Sequence, residues 1–192
     1  MDWTTIWKLS IYVWAVSKSD YSLEVYFMHH DEITRYTIID APIGQLILAG
    51  DFHNLGLIQF TNQSDEYQID CNWQYSKIYF SDATHQLEQY FRGELKQFSI
   101  PTRLSGTKFQ IDVITELQKI PYGETCSYAD LAKKVGHPRA YRAVGSANGY
   151  NPLPIIFPCH RVIASNGGIG GYGGGLKIKE ALLKLEADNC KN

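Results

Sequence analysis

The sequence predicts an α+β fold in two domains: a small N-terminal antiparallel β-sheet with a helix, then a mostly helical domain holding a helix-turn-helix and a Pro-Cys-His-Arg strand or loop. Three observations carry this. β-Branched and aromatic runs broken by glycine and proline fill residues 35–60. Apolar residues recur at helical spacing beyond residue 107, and the stretch "GELKQFSIPTRLSG" between the two regimes is polar and marked by glycine and proline. The boundary falls near residue 100, giving an N-terminal extension over 1–34, an α/β structural domain over 35–100 and a C-terminal domain over 101–192.

Taken in order, "YTIIDAPIGQLILAGDFHNLGLIQF" breaks at Ala41-Pro42-Ile43-Gly44 and again from Gly50 to Gly56, which reads strand–turn–strand. Residues 82–92 read as a helix opening on Asp82 as cap, with Leu87, Tyr90 and Phe91 on its inner side. "TKFQIDVITELQKI" lines up Phe109, Val113, Leu117 and Ile120 and is stopped by Pro121-Tyr122-Gly123. "SYADLAKKVG" starts on Ser127 as N-cap and ends at Gly136; "HPRAYRAVGSANG" follows, with Pro138 suited to a first helical turn. The pair reads as a helix-turn-helix. Ala140, Ala143, Gly145, Ser146 and Ala147 give the second helix a small-residue stripe, for close approach to another surface or for tight packing on a neighbouring helix. A glycine-rich loop over 167–175 then leads into an amphipathic helix carrying Leu176, Leu182, Leu183 and Leu185. Its spacing matches neither nucleotide-binding glycine motif.

At 192 residues the chain can bury a substantial core. No apolar run is long enough to cross a bilayer, so no membrane partner is expected, and the N-terminus makes a poor signal peptide. Four cysteines lie far apart without a CxxC pair, which favours a reducing, intracellular setting: cytoplasmic, or nuclear in a eukaryote. The net charge of −2 hides a division. Residues 1–100 hold 6 Lys/Arg against 13 Asp/Glu, and residues 101–192 hold 12 against 7. A C-terminal half at +5 suits a polyanionic partner and equally suits ordinary solvated surface.

Cys159 beside His160 admits three readings: metal ligands, a nucleophile with its base, or a buried thiol with a chance neighbour. Neighbours in an extended segment point to opposite sides, which disfavours chelation of one ion, and no second Cys/His pair completes a site. Free cysteine is among the most buried residue types, so composition alone favours an inert thiol. Against that stand the adjacent base, Arg161 next in line and an acid downstream at Glu186, the setting a reactive thiolate needs.

Residues 86–186 resemble the O6-alkylguanine-DNA alkyltransferases, the methylated-DNA–protein-cysteine methyltransferases. The matching text is "IPYGETCSYADLA", "RAVGSANGYNPLPIIFPCHRVI" and "GGYGGGLKIKEALLKLE"; "APIGQLILAG" resembles the start of the family's N-terminal domain. The resemblance implies repair of DNA by irreversible, stoichiometric transfer of the O6-alkyl group of a flipped-out guanine to a cysteine, with O4-alkylthymine left open as a second substrate. It implies a monomer acting on double-stranded DNA that contains O6-alkylguanine, with no cofactor and no metal. Carried over by position, Cys159 is the alkyl acceptor, His160 takes its proton through a water, and Glu186 orients the imidazole. Tyr128 donates toward guanine N3, the backbone N–H of Gly173 beside Tyr172 faces O6, and the carbonyls of Cys159 and Val162 read the exocyclic amine. Pro154 walls the alkyl pocket, and Asn151 matches the family's structural asparagine. Arg142 matches the arginine that fills the space of the extruded base, while Ser127, Ala140, Ala143 and Gly145 belong to the surface laid against DNA.

Some positions depart from the family pattern. Ile114 stands where many members carry tryptophan, and Asp51 and Gly56 fall where some carry zinc ligands. Residues 1–27 read as a lineage-specific extension or the product of an upstream in-frame start, Met28 being the one methionine after Met1. Tyr122, Cys71, Cys126 and Cys190 read as core or surface. Two other functions share these motifs in part. An alkyltransferase-like binding protein has its acceptor cysteine replaced, commonly by tryptophan, whereas Cys159 is present; a cysteine hydrolase needs an oxyanion motif that the sequence lacks.

Overall fold

The computed structural model describes residues 33–61 and 69–190; the expectations for residues 1–32, the start at Met28 included, lie outside the described residues. Pro42 and Ile43 turn the chain between β1 (Arg35–Ala41) and β2 (Gly44–Gly50), with Ala41 opposite Gly44 and Thr37 opposite Leu48. Gly44 has φ +111, a conformation a side chain resists. β3 (Leu55–Phe60) runs antiparallel to β2, pairing Ile58 with Leu48, and β4 (Gln74–Tyr75) adds to the far edge in the order β3-β2-β1-β4. The sheet is therefore mixed rather than wholly antiparallel, because β4 lies parallel to β1, with Arg35 beside Gln74. Successive side chains alternate in direction along a strand, so Leu46, Leu48, Leu55 and Ile58 reach the core from this sheet.

α1 (Ser81–Phe91) is entered from a 3₁₀ turn over Ile78–Phe80, and this displaces the expected cap. Phe80 occupies the cap position without a side-chain bond, while Asp82 sits inside the first turn and accepts from Gln86 Nε2 at 3.1 Å. The carboxylate still favours the positive helix end. Leu87 and Tyr90 are fully buried and Phe91 half-buried.

The connection after α1 is part of the sheet's edge. Leu55 N–H donates to Pro101 O at 2.9 Å and Arg103 N–H to Leu55 O at 3.0 Å, so the N-terminal unit extends through residue 103. α2 (Lys108–Leu117) opens on a capping box, with Thr107 Oγ1 accepting from Gln110 N and Gln110 Oε1 from Thr107 N. The helix ends at Leu117, three residues short of Ile120, which is buried from the following turn.

The helix-turn-helix consists of α3 (Tyr128–Lys134) and α4 (Tyr141–Gly149). Ser127 caps α3, accepting from Asp130 N at 3.0 Å, and Gly136 with φ +79 lets the chain leave it. Pro138 does not open the second helix: it lies in a turn closed by Ala140 N–H to His137 O at 2.8 Å, and α4 starts at Tyr141. β5 (Cys126–Ser127) pairs parallel with β6 (Val162–Ile163), and α5 (Leu176–Asn189) closes the chain. On α5 the buried residues are Lys179, Leu182 and Glu186; Leu176 is exposed, since it stands at the helix start beside the loop.

One hydrophobic cluster runs through both halves, joining Leu46, Leu87 and Tyr90 to Val113, Leu131, Val144, Leu153 and Leu182. Each fully buried aliphatic side chain contributes about 1.5–3 kcal/mol. The two domains are thus welded through a shared core, and Ile58 N–H donating to Pro152 O at 2.8 Å ties the sheet to the segment leading into Cys159.

Candidate active site

The segment before Cys159 is held by Asn151. Its Oδ1 accepts from Leu153 N at 3.1 Å, and its Nδ2 donates to Phe157 O at 2.7 Å and to Cys159 Sγ at 3.1 Å. Within this clamp Ile155 adopts φ +76, the one positive value outside glycine among the described residues. A β-branched residue there costs on the order of 1–3 kcal/mol and persists only where the surroundings over-determine it. Cys159–Arg161 then form a 3₁₀ turn rather than an extended strand. Successive side chains of such a turn diverge by about a third of a rotation, so Cys159 and His160 still point apart. Among the described residues no group of three or more His, Cys, Asp or Glu could hold a metal ion.

Cys159 is 6% exposed and opens on a cavity of about 210 Å³ lined by Tyr128, Gly145, Asn148, Gly149, Gly171, Tyr172 and Gly173. Burial pushes its thiol up to about 11, against the opposing bond from Asn151 and charge of Lys179. At neutral pH the resting sulfur is a thiol, and a base must take its proton before it can act as a nucleophile.

The adjacent imidazole of His160 is fixed in one form. His160 Nε2 lies 2.8 Å from Glu186 Oε1, while its Nδ1 is buried without a hydrogen-bond partner. A carboxylate only accepts, so Nε2 carries the hydrogen and Nδ1 is the basic nitrogen. Burial lowers the imidazole pKa below its ordinary value, with Glu186 opposing, so His160 is neutral at pH 7 and able to receive a proton.

Glu186 accepts five hydrogen bonds. Oε1 takes Tyr90 OH at 2.7 Å, His160 Nε2 and Arg161 Nη2 at 2.9 Å; Oε2 takes Arg161 Nε at 2.9 Å and Gly123 N at 3.0 Å. Burial alone would raise its pKa, but His160 and Arg161 outweigh it and bring the carboxyl down to about 2. Arg161 in turn donates to Ile120 O at 2.6 Å and lies over the Tyr122 ring. Lys179 is also fully buried, its Nζ donating to Val162 O at 2.6 Å and Gly171 O at 3.1 Å. It ties α5 to both the strand after Cys159 and the glycine-rich loop.

That loop needs its glycines. Gly170 has φ +70, and a Cβ there would meet Tyr128 Cε2 at 3.0 Å; a Cβ on Gly174 would fall 2.6 Å from the Phe60 ring. The close approach sets Tyr172 against the cavity and against Phe60 of β3, ring centroids 5.9 Å apart. Tyr172 OH and Asn148 Oδ1 are buried polar atoms without partners at this wall. Tyr128 OH donates in a long bond to Gly171 O, 3.4 Å, which a better acceptor can displace, and also interacts with the Asn148 side chain.

The structure therefore gathers Cys159, Tyr128, Tyr172, Gly173 and Gly145 around one cavity, with Asn151 bonded to the sulfur and Glu186 bonded to the neighbouring His160. Arg142 and Ala143 are exposed on α4, and Ser127, Ala140 and Gly145 are half-buried along the same motif. Pro154 is buried and is not among the residues lining the cavity. Val162 is likewise buried, its carbonyl already bonded to Lys179, and the Cys159 carbonyl accepts weakly from Asn148 at 3.5 Å. Sequence reasoning missed Tyr90, Lys179 and Asn148. Arg161 was noticed only as a neighbour of His160.

Comparison with known proteins covers both parts of the chain. A family model described as the DNA binding domain of 6-O-methylguanine DNA methyltransferase covers residues 108–188, and one described as its ribonuclease-like domain covers 34–104. The methylated-DNA–protein-cysteine methyltransferase of Methanosarcina acetivorans is 48% identical over 151 residues, covering 79% of this chain and 97% of that protein. The protein of the same description from Mycobacterium tuberculosis is also 48% identical over 151 residues, 79% of this chain and 91% of its own length. Among solved structures, Mycobacterium tuberculosis OGT in complex with DNA superposes with a TM-score of 0.76 at 46% identity, over 81% of this chain and 94% of that one.

Proposed function

Since the chain belongs to the 6-O-methylguanine DNA methyltransferase family, we propose that Cys159 is the acceptor through which it repairs O6-alkylguanine in double-stranded DNA. The chain is a methylated-DNA–protein-cysteine methyltransferase, a DNA-binding repair protein that transfers the alkyl group to its own cysteine and is consumed in doing so. The observation that carries the residue assignment is the buried His160–Glu186 pair next to Cys159, whose sulfur opens on a cavity lined by residues of the helix-turn-helix.

The Cys159 proton passes to His160 Nδ1 by way of a water, and the thiolate sulfur forms a bond to the O6 alkyl carbon as the carbon–O6 bond breaks. Charge left on the guanine would be met by Tyr128 OH at N3 and by the Gly173 N–H at O6, both from residues that line the cavity. The carbonyls of Cys159 and Val162 would accept from the exocyclic amine, which at Cys159 would displace the long bond from Asn148. The base arrives by extrusion, at a few kcal/mol. Arg142 fills its place in the stack, and Ala140, Ala143, Gly145 and Ser127 let the motif sit close to the duplex.

Acceptor, base, carboxylate and cavity all come from one chain, which supports action as a monomer. All four cysteines are free, which suits a reducing cytoplasm or nucleus. No helix among the described residues is long and apolar enough to cross a membrane. Titrating the protein against excess duplex bearing one O6-methylguanine tests the stoichiometry. Guanine formed should plateau at one equivalent per protein; continued formation would exclude a self-consuming acceptor.

A further inference from the structure

We propose that Tyr90, from the N-terminal domain, is a positioning residue of the transfer site: its hydroxyl holds the Glu186 carboxylate in place and limits the basicity that Glu186 confers on His160. This rests on the assignment of Cys159, His160 and Glu186 to the transfer. Tyr90 stands on α1, outside the matched C-terminal domain, yet its hydroxyl donates to Glu186 Oε1 at 2.7 Å and lies 3.5 Å from His160 Nε2. Oε1 is the same oxygen that bonds the imidazole. The ring has no exposed surface and is fixed by Phe91, Phe98 and Tyr122, with centroids 5.4, 5.5 and 5.8 Å away. Such packing leaves the hydroxyl little freedom to leave the carboxylate.

The physical consequence is directional. Glu186 stabilises a protonated His160 through its negative charge, and the positive end of the Tyr90 O–H dipole neutralises part of that charge at the shared oxygen. A proton accepted by His160 is then held less tightly, and the imidazole stays neutral over a wider pH range. The other charged and titratable groups near the pair are Arg161 from the 3₁₀ turn, Lys179 from α5, the adjacent Cys159, Tyr122 from the turn before β5 and Tyr172 from the glycine-rich loop. Burial and the neighbouring carboxylate keep the Tyr90 hydroxyl protonated well above its ordinary range, so it serves as donor throughout neutral pH. The inference gives the N-terminal domain a part in the chemistry as well as in the core.

The test is the single-turnover rate on duplex O6-methylguanine from acid to neutral pH, for the full chain and for Tyr90→Phe. Transfer requires neutral His160, so the rate falls as pH drops through the imidazole pKa. In Tyr90→Phe this acid limb should move to higher pH by several tenths of a unit, and the plateau rate should fall about tenfold. Phe98→Leu, which loosens the ring packing but keeps the hydroxyl, should lower the melting temperature and leave the limb in place. An unmoved limb in Tyr90→Phe, a limb moved to lower pH, or an equal shift in Phe98→Leu would overturn the proposal. Proton NMR of the wild-type chain tests it without a variant: the Tyr90 hydroxyl proton should be seen in slow exchange, and its absence also overturns the proposal. Failure of the wild-type chain to transfer methyl would instead overturn the assignment of the site itself.

Discussion

Replacing Glu186 with glutamine is expected to destabilise the fold by about 3–5 kcal/mol, the cost of removing one partner of a buried ion pair, and to abolish measurable transfer at neutral pH. An amide presents a single acceptor oxygen and two N–H donors to Tyr90, His160, Arg161 and Gly123, every one of which donates to the carboxylate. Arg161 would be left buried without its counter-charge, and His160 without the bond that places its proton on Nε2. Chemical denaturation across pH checks the sign. The carboxyl sits at about 2 in the folded chain against an ordinary 4.5, so its contribution is fully present above 4.5 and is lost as pH falls toward 2. That shift corresponds to about 3 kcal/mol. Wild type and variant should differ most at neutral pH and converge in acid; parallel curves down to pH 2 would contradict the role given to the charge.

Arg142→Ala has the second large effect, confined to duplex substrate. The side chain is exposed at the start of α4, and among the described residues its one ring neighbour is Tyr141 at 5.9 Å. On the proposed role, removing it would take away the group that fills the vacated stack, so an extrusion cost of a few kcal/mol would be less well offset. Single-turnover repair of O6-methylguanine in duplex should slow by about 10²-fold, while reaction with the free base O6-methylguanine should stay within about twofold. Equal slowing on both would show that Arg142 acts on the cavity and not on the DNA.

Local features of the fold were legible because their causes are local. The Ser127 cap, the Gly136 exit and the Gly44 turn each depend on residues within a few positions of one another. Misreadings arose where tertiary structure intervened. The 3₁₀ turn entering α1 took the cap position from Asp82, and the reverse turn around Pro138 delayed α4 to Tyr141. The parallel edge strand β4 has only two residues, too few to show a pattern.

The transfer site followed the same division. Cys159, His160 and Glu186 came from the resemblance of the C-terminal motifs, and the structure brings them together. Nothing in the spacing of Leu176, Leu182, Leu183 and Leu185 singles out Lys179, whose burial becomes evident only when Val162 O and Gly171 O converge on its Nζ. Tyr90 reads as one more apolar helix position, because its polar partner lies 96 residues away in the chain. Pro154, assigned to the pocket wall by position, is buried and is not among the residues lining the cavity.

The most direct test of the central claim is the mass of the protein after reaction. The chain is incubated with one equivalent of duplex carrying O6-methylguanine, and the intact protein and its peptides are then weighed. The account predicts a gain of one methyl group in place of hydrogen, located on Cys159, and no gain in Cys159→Ala. Unmethylated protein after the lesion is bound, or a methyl group on any other residue, would contradict it.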